Sequence, residues 1–318
     1  MTPVAPPIST DPSVAVLIWG ATHVHTQDHR DAVARHPRAR LVAEVFDDGA
    51  ADPAAQAAGI DWAGVDAVIL DGRTEHHAAQ LRAVPAGTPV FVEKPLGVDV
   101  AAAAEVAALL RGRPHSVGFF QHLLPATRRW AAQVRLAADL TAAAPERITL
   151  DFGHDGRVTG MFSGSHAWMV DPARGGSGNF LDLGLHLVHL ARRLGLGRLD
   201  PVSCTLEPAV DGLSDAGGSA VLSDGRTEVR LSVTANRRRE FTARAEWASG
   251  AGVPTWEVRG GTLFRDGHHV LTGQGPDAAI ATTAFLDAVT GEPSELGTTD
   301  AAEALAVQEL VAALLELA

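Results

Sequence analysis

The sequence predicts an α/β protein: a doubly wound parallel sheet, then a second, α+β domain with an open-faced, mostly antiparallel sheet. Three observations carry this. Residues 14–120 alternate short apolar strands with helical stretches. From about residue 147, polar–apolar alternation and hairpin dipeptides take over. Between the two patterns lies a helix, 175–195, that is apolar nearly all round. Buried strands interleaved with helices argue a parallel sheet covered on both faces.

The elements follow in order. Val14–Trp19 is a continuous apolar strand, and residues 26–36 predict a helix stopped by Pro37. "ARLVAEVFDD" (39–48) is a second strand ending in acids, with further strands at 65–72 and 88–95. Helices at 75–84 and 99–111 fill the gaps. Ligands of such sheets bind beyond the carboxyl ends of the strands. The loops after Trp19, Phe46, Leu70 and Val92 open on that edge. A helix near 125–140 precedes the second domain. There, 147–153, 217–236, 239–249 and 255–271 alternate apolar and polar, with turns at Asp224-Gly225 and Asp266-Gly267. A helix at 300–316 closes the chain. Residues 1–13 are Pro-rich and read as a loose tail.

The 318 residues suffice for two domains with real cores. A net charge of −12 argues against nucleic acid or an anionic membrane as partner. The single cysteine, Cys204, excludes an internal disulfide framework and a cysteine metal cluster. The start lacks the basic and apolar segments of a signal peptide, and no apolar run is long enough to cross a bilayer. A cytoplasmic location is the expectation. There is no tyrosine, so a reductase mechanism using a tyrosine acid is excluded.

Lys94 is the only lysine; the other 25 of the 26 basic residues are arginine. An ammonium is compact and can exchange a proton when buried, which a guanidinium effectively cannot. The solitary lysine therefore marks a candidate catalytic position; the plainer reading is a chance survivor in an arginine-biased chain. The apolar helix carries a second candidate. Asp182 and His186 are four residues apart and share a face. A carboxylate in a buried helix needs a partner or a purpose. The plainer reading is an Asp–His pair that only holds the helix in place.

These residues carry a family resemblance. Glu93-Lys94-Pro95 at a strand end and "WMVDPARGGSGNFLDLGLH" (168–186) resemble the two signatures of the glucose–fructose oxidoreductase / inositol dehydrogenase family, Gfo/Idh/MocA. "DAVILDGRTEHH" (66–77) resembles a further segment, with His77 on its histidine and Arg73 where its proline stands. "FLDAVTGEP" and "TTDAAEAL" resemble its closing helix pair, so the likeness runs from about 14 to 311. It implies a Rossmann dinucleotide-binding domain over 14–122, then an open-faced substrate and oligomerisation domain over 123–318. It implies Lys94, Asp182 and His186 as catalytic residues. It implies cofactor contacts from Gly20, Thr22, His23, Val24, Asp47, Asp48, Asp71, Arg73, His77, Glu93 and Lys94. Homodimers or homotetramers through the open sheet face are implied as well. Gln121 and His122 depart from a usual basic residue, and His189 from a frequent acid.

The largest departure is the loop "GATHVH". A dinucleotide loop uses one glycine for the turn, a second for backbone approach to the diphosphate, and a third for helix–strand packing. Here Gly20 keeps the first, while Thr22 and His25 replace the others. A helix N-terminus still attracts phosphate without glycines. His23 and His25 could chelate a metal, but zinc wants three or four ligands and no third lies nearby in sequence, so no metal is expected. Asp47 and Asp48 favour NAD over NADP, whose 2′-phosphate they would repel; either could also cap a helix.

The leading expectation is an NAD(P)-dependent oxidoreductase moving hydride at a secondary alcohol of a sugar, cyclitol or related polyol. His186 would take the hydroxyl proton, Lys94 would stabilise charge on the oxygen, and Asp182 would orient His186. One alternative is a lyase or glycosidase that uses bound NAD transiently, motivated by the extra His154, His166 and His189. Another is a cofactor-free binding protein that has lost catalysis, motivated by the missing glycines. Arg237, Arg238 and Arg239 could be a subunit contact, an acidic-ligand site or a solvated strand end.

Overall fold

The computed structural model describes residues 13–47, 52–176, 178–209 and 214–318; Asp48 and nearly all of the Pro-rich start lie outside them. The first sheet is parallel throughout, with strands β1 (Val14–Trp19), β2 (Ala39–Val45), β3 (Ala67–Leu70), β4 (Val90–Val92) and β5 (His115–Val117). Their order is β2-β1-β3-β4-β5. Every residue of β3 and β4 is buried, as an all-apolar strand covered on both faces must be. The covering helices include α1 (Thr26–Arg35), α2 (Pro53–Ala58), α3 (His77–Ala83) and α4 (Val100–Leu110). The sequence reading missed α2 and β5, which are only six and three residues long. α2 does carry start signals, an Asp52 cap on the Ala54 amide and Pro53 at its first position. Strand order reverses beside β1, which opens the ligand crevice between the β1 and β3 ends.

The second layer begins with α5 (Pro125–Thr141). Its sheet has eight strands: β6 (Arg147–Gly153), β7 (Asp200–Pro208), β8 (Asp215–Ser223), β9 (Glu228–Thr234), β10 (Arg239–Glu246), β11 (Trp256–Arg259), β12 (Thr262–Arg265) and β13 (His268–Thr272). The order is β13-β12-β11-β10-β6-β9-β8-β7, antiparallel except for the parallel β6–β9 pair. β7 was not anticipated, since "DPVSCTLEP" has proline near both ends and weak alternation. On β9 the alternation is clean: Val229, Leu231 and Val233 are buried, while Arg230 and Ser232 face the open side. Arg237, Arg238 and Arg239 each pair with an acid, Glu207, Asp155 and Asp151.

After the one-turn α6 (Gly156–Thr159), α7 (Asn179–Arg192) packs on the buried face of this sheet. It starts four residues later than expected. Gly178 has φ +104°, outside the helical region, and a Cβ there would meet the Asp215 carboxylate. Asp215 caps the helix from β8, accepting the Phe180 amide at 2.6 Å. Phe180, Leu187 and Val188 are wholly buried, each contributing about 1.5–3 kcal/mol by the area rule. The closing helices, α8 (Ala279–Thr290) and α9 (Ala301–Leu315), return to the first sheet. α8 packs on α1, and α9 packs on both α4 and α7. Gln308 of α9 donates to the Gly97 carbonyl at 2.6 Å. The expected division at 122/123 therefore does not separate the closing helices from the first domain. Among the described residues no helix is long and apolar enough to cross a membrane.

Candidate active site

Lys94 leaves the carboxyl end of β4 and is 4% exposed. Its ammonium pairs with the Asp182 carboxylate and lies 3.4 Å from the Asp182 carbonyl oxygen. Asp182 stands in the first turn of α7, where the helix dipole favours an acid. Burial opposes its charge, but the Lys94 ammonium prevails and holds its pKa down at about 2. One turn on, His186 is 1% exposed. Burial pushes its pKa well below the ordinary histidine value, and the Lys94 charge adds to this. The ring is therefore neutral. Its Nδ1 is shut away from solvent without a hydrogen-bond partner, leaving Nε2 to the cleft.

These three residues line one cleft of about 260 Å³. Val24, His25 and Asp28 of the first domain form one wall; Phe152, His154, Phe162 and Met169 of the second form the other. Phe120 packs 4.5 Å from the His186 ring. Drug-sized ligands take about 300–1,000 Å³, so this end of the site suits a small ligand.

Beneath the β1–α1 loop lies a second polar cluster. His29 of α1 is fully buried, with Nε2 3.2 Å from Asp71 Oδ1 and 3.4 Å from Glu93 Oε1. Its Nδ1 is 2.7 Å from Thr282 Oγ1 on α8. Burial alone would lower its pKa, but Asp71 and Glu93 outweigh it and raise the value to about 10, so His29 is an imidazolium. Glu93 is held below the carboxylate range despite its burial, chiefly through its hydrogen bond to His29. Thr26 donates to the other Asp71 oxygen at 2.5 Å. His23, pushed down to about 4 by burial, lies 3.3 Å from Asp71 and faces the Trp168 ring. Among the described residues only His29, Asp71 and Glu93 form a group of metal-ligating side chains this close. The imidazolium between two carboxylates accounts for it without an ion. In the loop above, His23 Nδ1 accepts the His25 amide at 3.1 Å.

A dinucleotide is the group this fold calls for at the crevice, and the residues present can be tested for it. The loop amides of Gly20, Ala21, Thr22, His23, His25 and Thr26 are all bonded within the protein. The amides of Val24, Gln27 and Asp28 have no partner among the described residues, and they form the open N-terminus of α1. Such amides suit a phosphate. At the ribose end, Asp47 is 2% exposed, with His76 Nδ1 at 2.8 Å and Arg73 Nε at 3.7 Å. The Arg73 amide donates to it as well, at 3.4 Å, and the His76 and Arg73 side chains are partly exposed, so a ribose can displace them. The residues fit a dinucleotide whose phosphates rest on the start of α1 rather than in a glycine cradle.

The structure thus brings Lys94, Asp182, His186 and Val24 to one cleft and leaves Asp47 and Arg73 together at the β2 edge. Several expected cofactor contacts need correction. Asp71 and Glu93 are spent on His29, and His23 is sealed between Asp71 and Trp168. His77 is 1% exposed and its Nδ1 meets the Leu96 carbonyl at 3.1 Å, so it fixes the chain after Pro95. Gly20 serves backbone packing: its φ is +93°, and a Cβ would stand 2.2 Å from the Gly72 Cα. Thr22 Oγ1 is buried without a partner. His25, which the sequence puts in place of the loop's third glycine, stands in the cleft wall at the head of α1.

No family model and no curated protein sequence matches the chain. Solved structures do. A protein of gentamicin A biosynthesis in complex with NAD is 18% identical, with 99% of this chain and 96% of that one covered and a TM-score of 0.73. An inositol dehydrogenase homolog from Azotobacter vinelandii complexed with NAD+ is 16% identical, 96% of each chain covered, TM-score 0.72. A variant of a 3-ketoreductase from Actinomadura kijaniata, in complex with TDP-benzene and NADP, is 18% identical, covering 96% and 98%, TM-score 0.71. The chain has the fold of these oxidoreductases. At such identities the likeness establishes the architecture, the one implied by the Gfo/Idh/MocA resemblance.

Proposed function

We propose that the protein is an NAD-dependent oxidoreductase acting on a secondary alcohol of a sugar, cyclitol or related polyol. The observation that carries the reading is the convergence of the sole lysine with Asp182 and His186 on one small cleft. Structural neighbours that hold NAD or NADP support it. The cofactor would rest on the α1 amides and Asp47, and its nicotinamide would supply or accept the hydride.

The chain's own residues then have separate tasks. His186, neutral through burial, takes the hydroxyl proton at Nε2 in the oxidation direction. Lys94 donates a hydrogen bond to the same oxygen and stabilises its developing negative charge. Asp182 pairs with the Lys94 ammonium and aims it. The apolar wall, Phe120, Phe152 and Phe162, excludes water and strengthens these interactions.

A second reading, transient oxidation followed by elimination or hydrolysis, is favoured by His154, which sits in the same cleft as an additional proton carrier. Its pKa is lowered, mainly by burial, so it is neutral and able to accept a proton. His166 and His189 lie outside that cleft. Denaturing the purified protein and identifying the released nucleotide by mass spectrometry, with NADH titration alongside, tests the shared premise. Released or bound NAD(H) is the expected result. Turnover without added stoichiometric NAD selects the second reading. Failure of both NAD and NADP to bind at millimolar concentration leaves a cofactor-free binding protein, which the internally bonded loop would then explain.

A further inference from the structure

A groove larger than the active cleft lies elsewhere on the protein. It has a volume of about 790 Å³ and lies between the start of α5 and the end of α7. Arg128, Arg129, Arg135, Arg192 and Arg193 line it, and His122 forms part of its wall. We propose that this groove binds a phosphate-bearing small molecule, at a site separate from the dinucleotide crevice.

Charge is the first support. The chain carries a net charge of −12, yet five arginines converge here. Arg128 is answered by Glu295 at 3.2 Å, but that carboxylate's side chain is 90% exposed and easily displaced. Arg192 pairs with Glu303 at 3.1 Å. Among the described residues Arg135 donates only to the Arg193 carbonyl, at 2.8 Å. Among the described residues, Arg129 and Arg193 have no side-chain partner. Arg192 and Arg193 are explained in part by the C-terminal dipole of α7. Arg128 and Arg129 are not: they sit at the beginning of α5, where the dipole opposes cations. A bound anion would reverse that cost.

His122 is the independent second support. It is 8% exposed, and neither ring nitrogen has a hydrogen-bond partner. Burial, then the charges of Arg193 and Arg128, lower its pKa to about 3, so the ring is neutral and carries one buried N–H. Both nitrogens lie beneath the groove surface, so a turn of the ring towards the groove would let a ligand oxygen accept that N–H. Arginine's planar fork matches phosphate geometry, and the groove volume falls within the roughly 300–1,000 Å³ usual for small-molecule sites.

The test is calorimetric titration of the full chain with inorganic pyrophosphate at low salt. Saturable binding is expected. Arg129→Ala and Arg193→Ala should each weaken it about tenfold or more, because a charged hydrogen bond is lost each time. Arg237→Ala and Arg238→Ala, at exposed positions elsewhere, should leave it unchanged. No saturable binding at millimolar pyrophosphate overturns the proposal. So does binding that is insensitive to the Arg129/Arg193 double variant, the result expected if pyrophosphate sits at the α1 end instead. NADH affinity should be the same in the groove variants, so either reading can fail alone.

Discussion

The cleft around Lys94 and the cluster around His29 are built from the same materials. Each places a cation against carboxylates, and each includes buried histidine. They differ in what is left unpaired. In the sealed cluster Asp71, Glu93 and Thr282 all converge on His29, whose side chain has no exposed surface. In the cleft, by contrast, Lys94, Asp182 and His186 line about 260 Å³ of open space. Burial and charge do not by themselves distinguish a site from a strut. Open space beside the charged and polar groups does, because only there can a ligand meet them.

Substitutions can break this contrast. The largest effect is expected in the cleft: Lys94→Ala or His186→Ala should lower turnover per folded molecule about 10²–10⁴-fold. Near-normal turnover in both variants would remove the functional half of the comparison. Asp71→Asn should do the reverse. It leaves His29 short of a buried counter-charge, costing about 3–5 kcal/mol in urea unfolding, while activity per folded molecule holds. A variant that folds normally but loses turnover would move Asp71 into the catalytic machinery.

Acidity sharpens the contrast further. The His29 pKa rises from 6.5 unfolded to about 10 folded, so its contribution to stability is full below pH 6.5 and is lost as pH rises through about 10. The urea midpoint should fall across that window, and the fall should flatten in His29→Gln. In the cleft the shift has the opposite sign. His186 stays neutral below pH 6.5, so the acid limb of kcat/KM should lie below the ordinary histidine value. A limb centred at 6.5 would show that His186 is not the group taking the proton. The smallest effect is expected at the ribose end, where Asp47→Ala should weaken NADH about tenfold, read by fluorescence titration, with little change in kcat. An unchanged affinity would mean that His76 and Arg73 keep Asp47 from the cofactor.

Much of the cleft was legible before any coordinates. Lys94 stood out because no other lysine exists, and the i, i+4 spacing put Asp182 and His186 on one helical face. The sealed cluster was not legible. Asp71 and Glu93 end adjacent strands, which in a doubly wound sheet reads as ligand contact. His29 and Thr282, the partners that consume them, are 253 residues apart. The fold divided in the same way. Strongly periodic strands were readable, while β5, α2 and β7 are short, or proline-flanked, and depend on neighbours for their stability.

The amino-acid order alone settled the alternation of strands and helices, the open-faced second sheet and the residue types available for chemistry, because those depend on local periodicity and composition. Tertiary structure decided which acids and histidines neutralise one another and which face a cavity. It also decided that the last two helices fold back onto the first sheet. Those outcomes turn on packing and electrostatic contacts between residues far apart along the chain, and no local pattern records them.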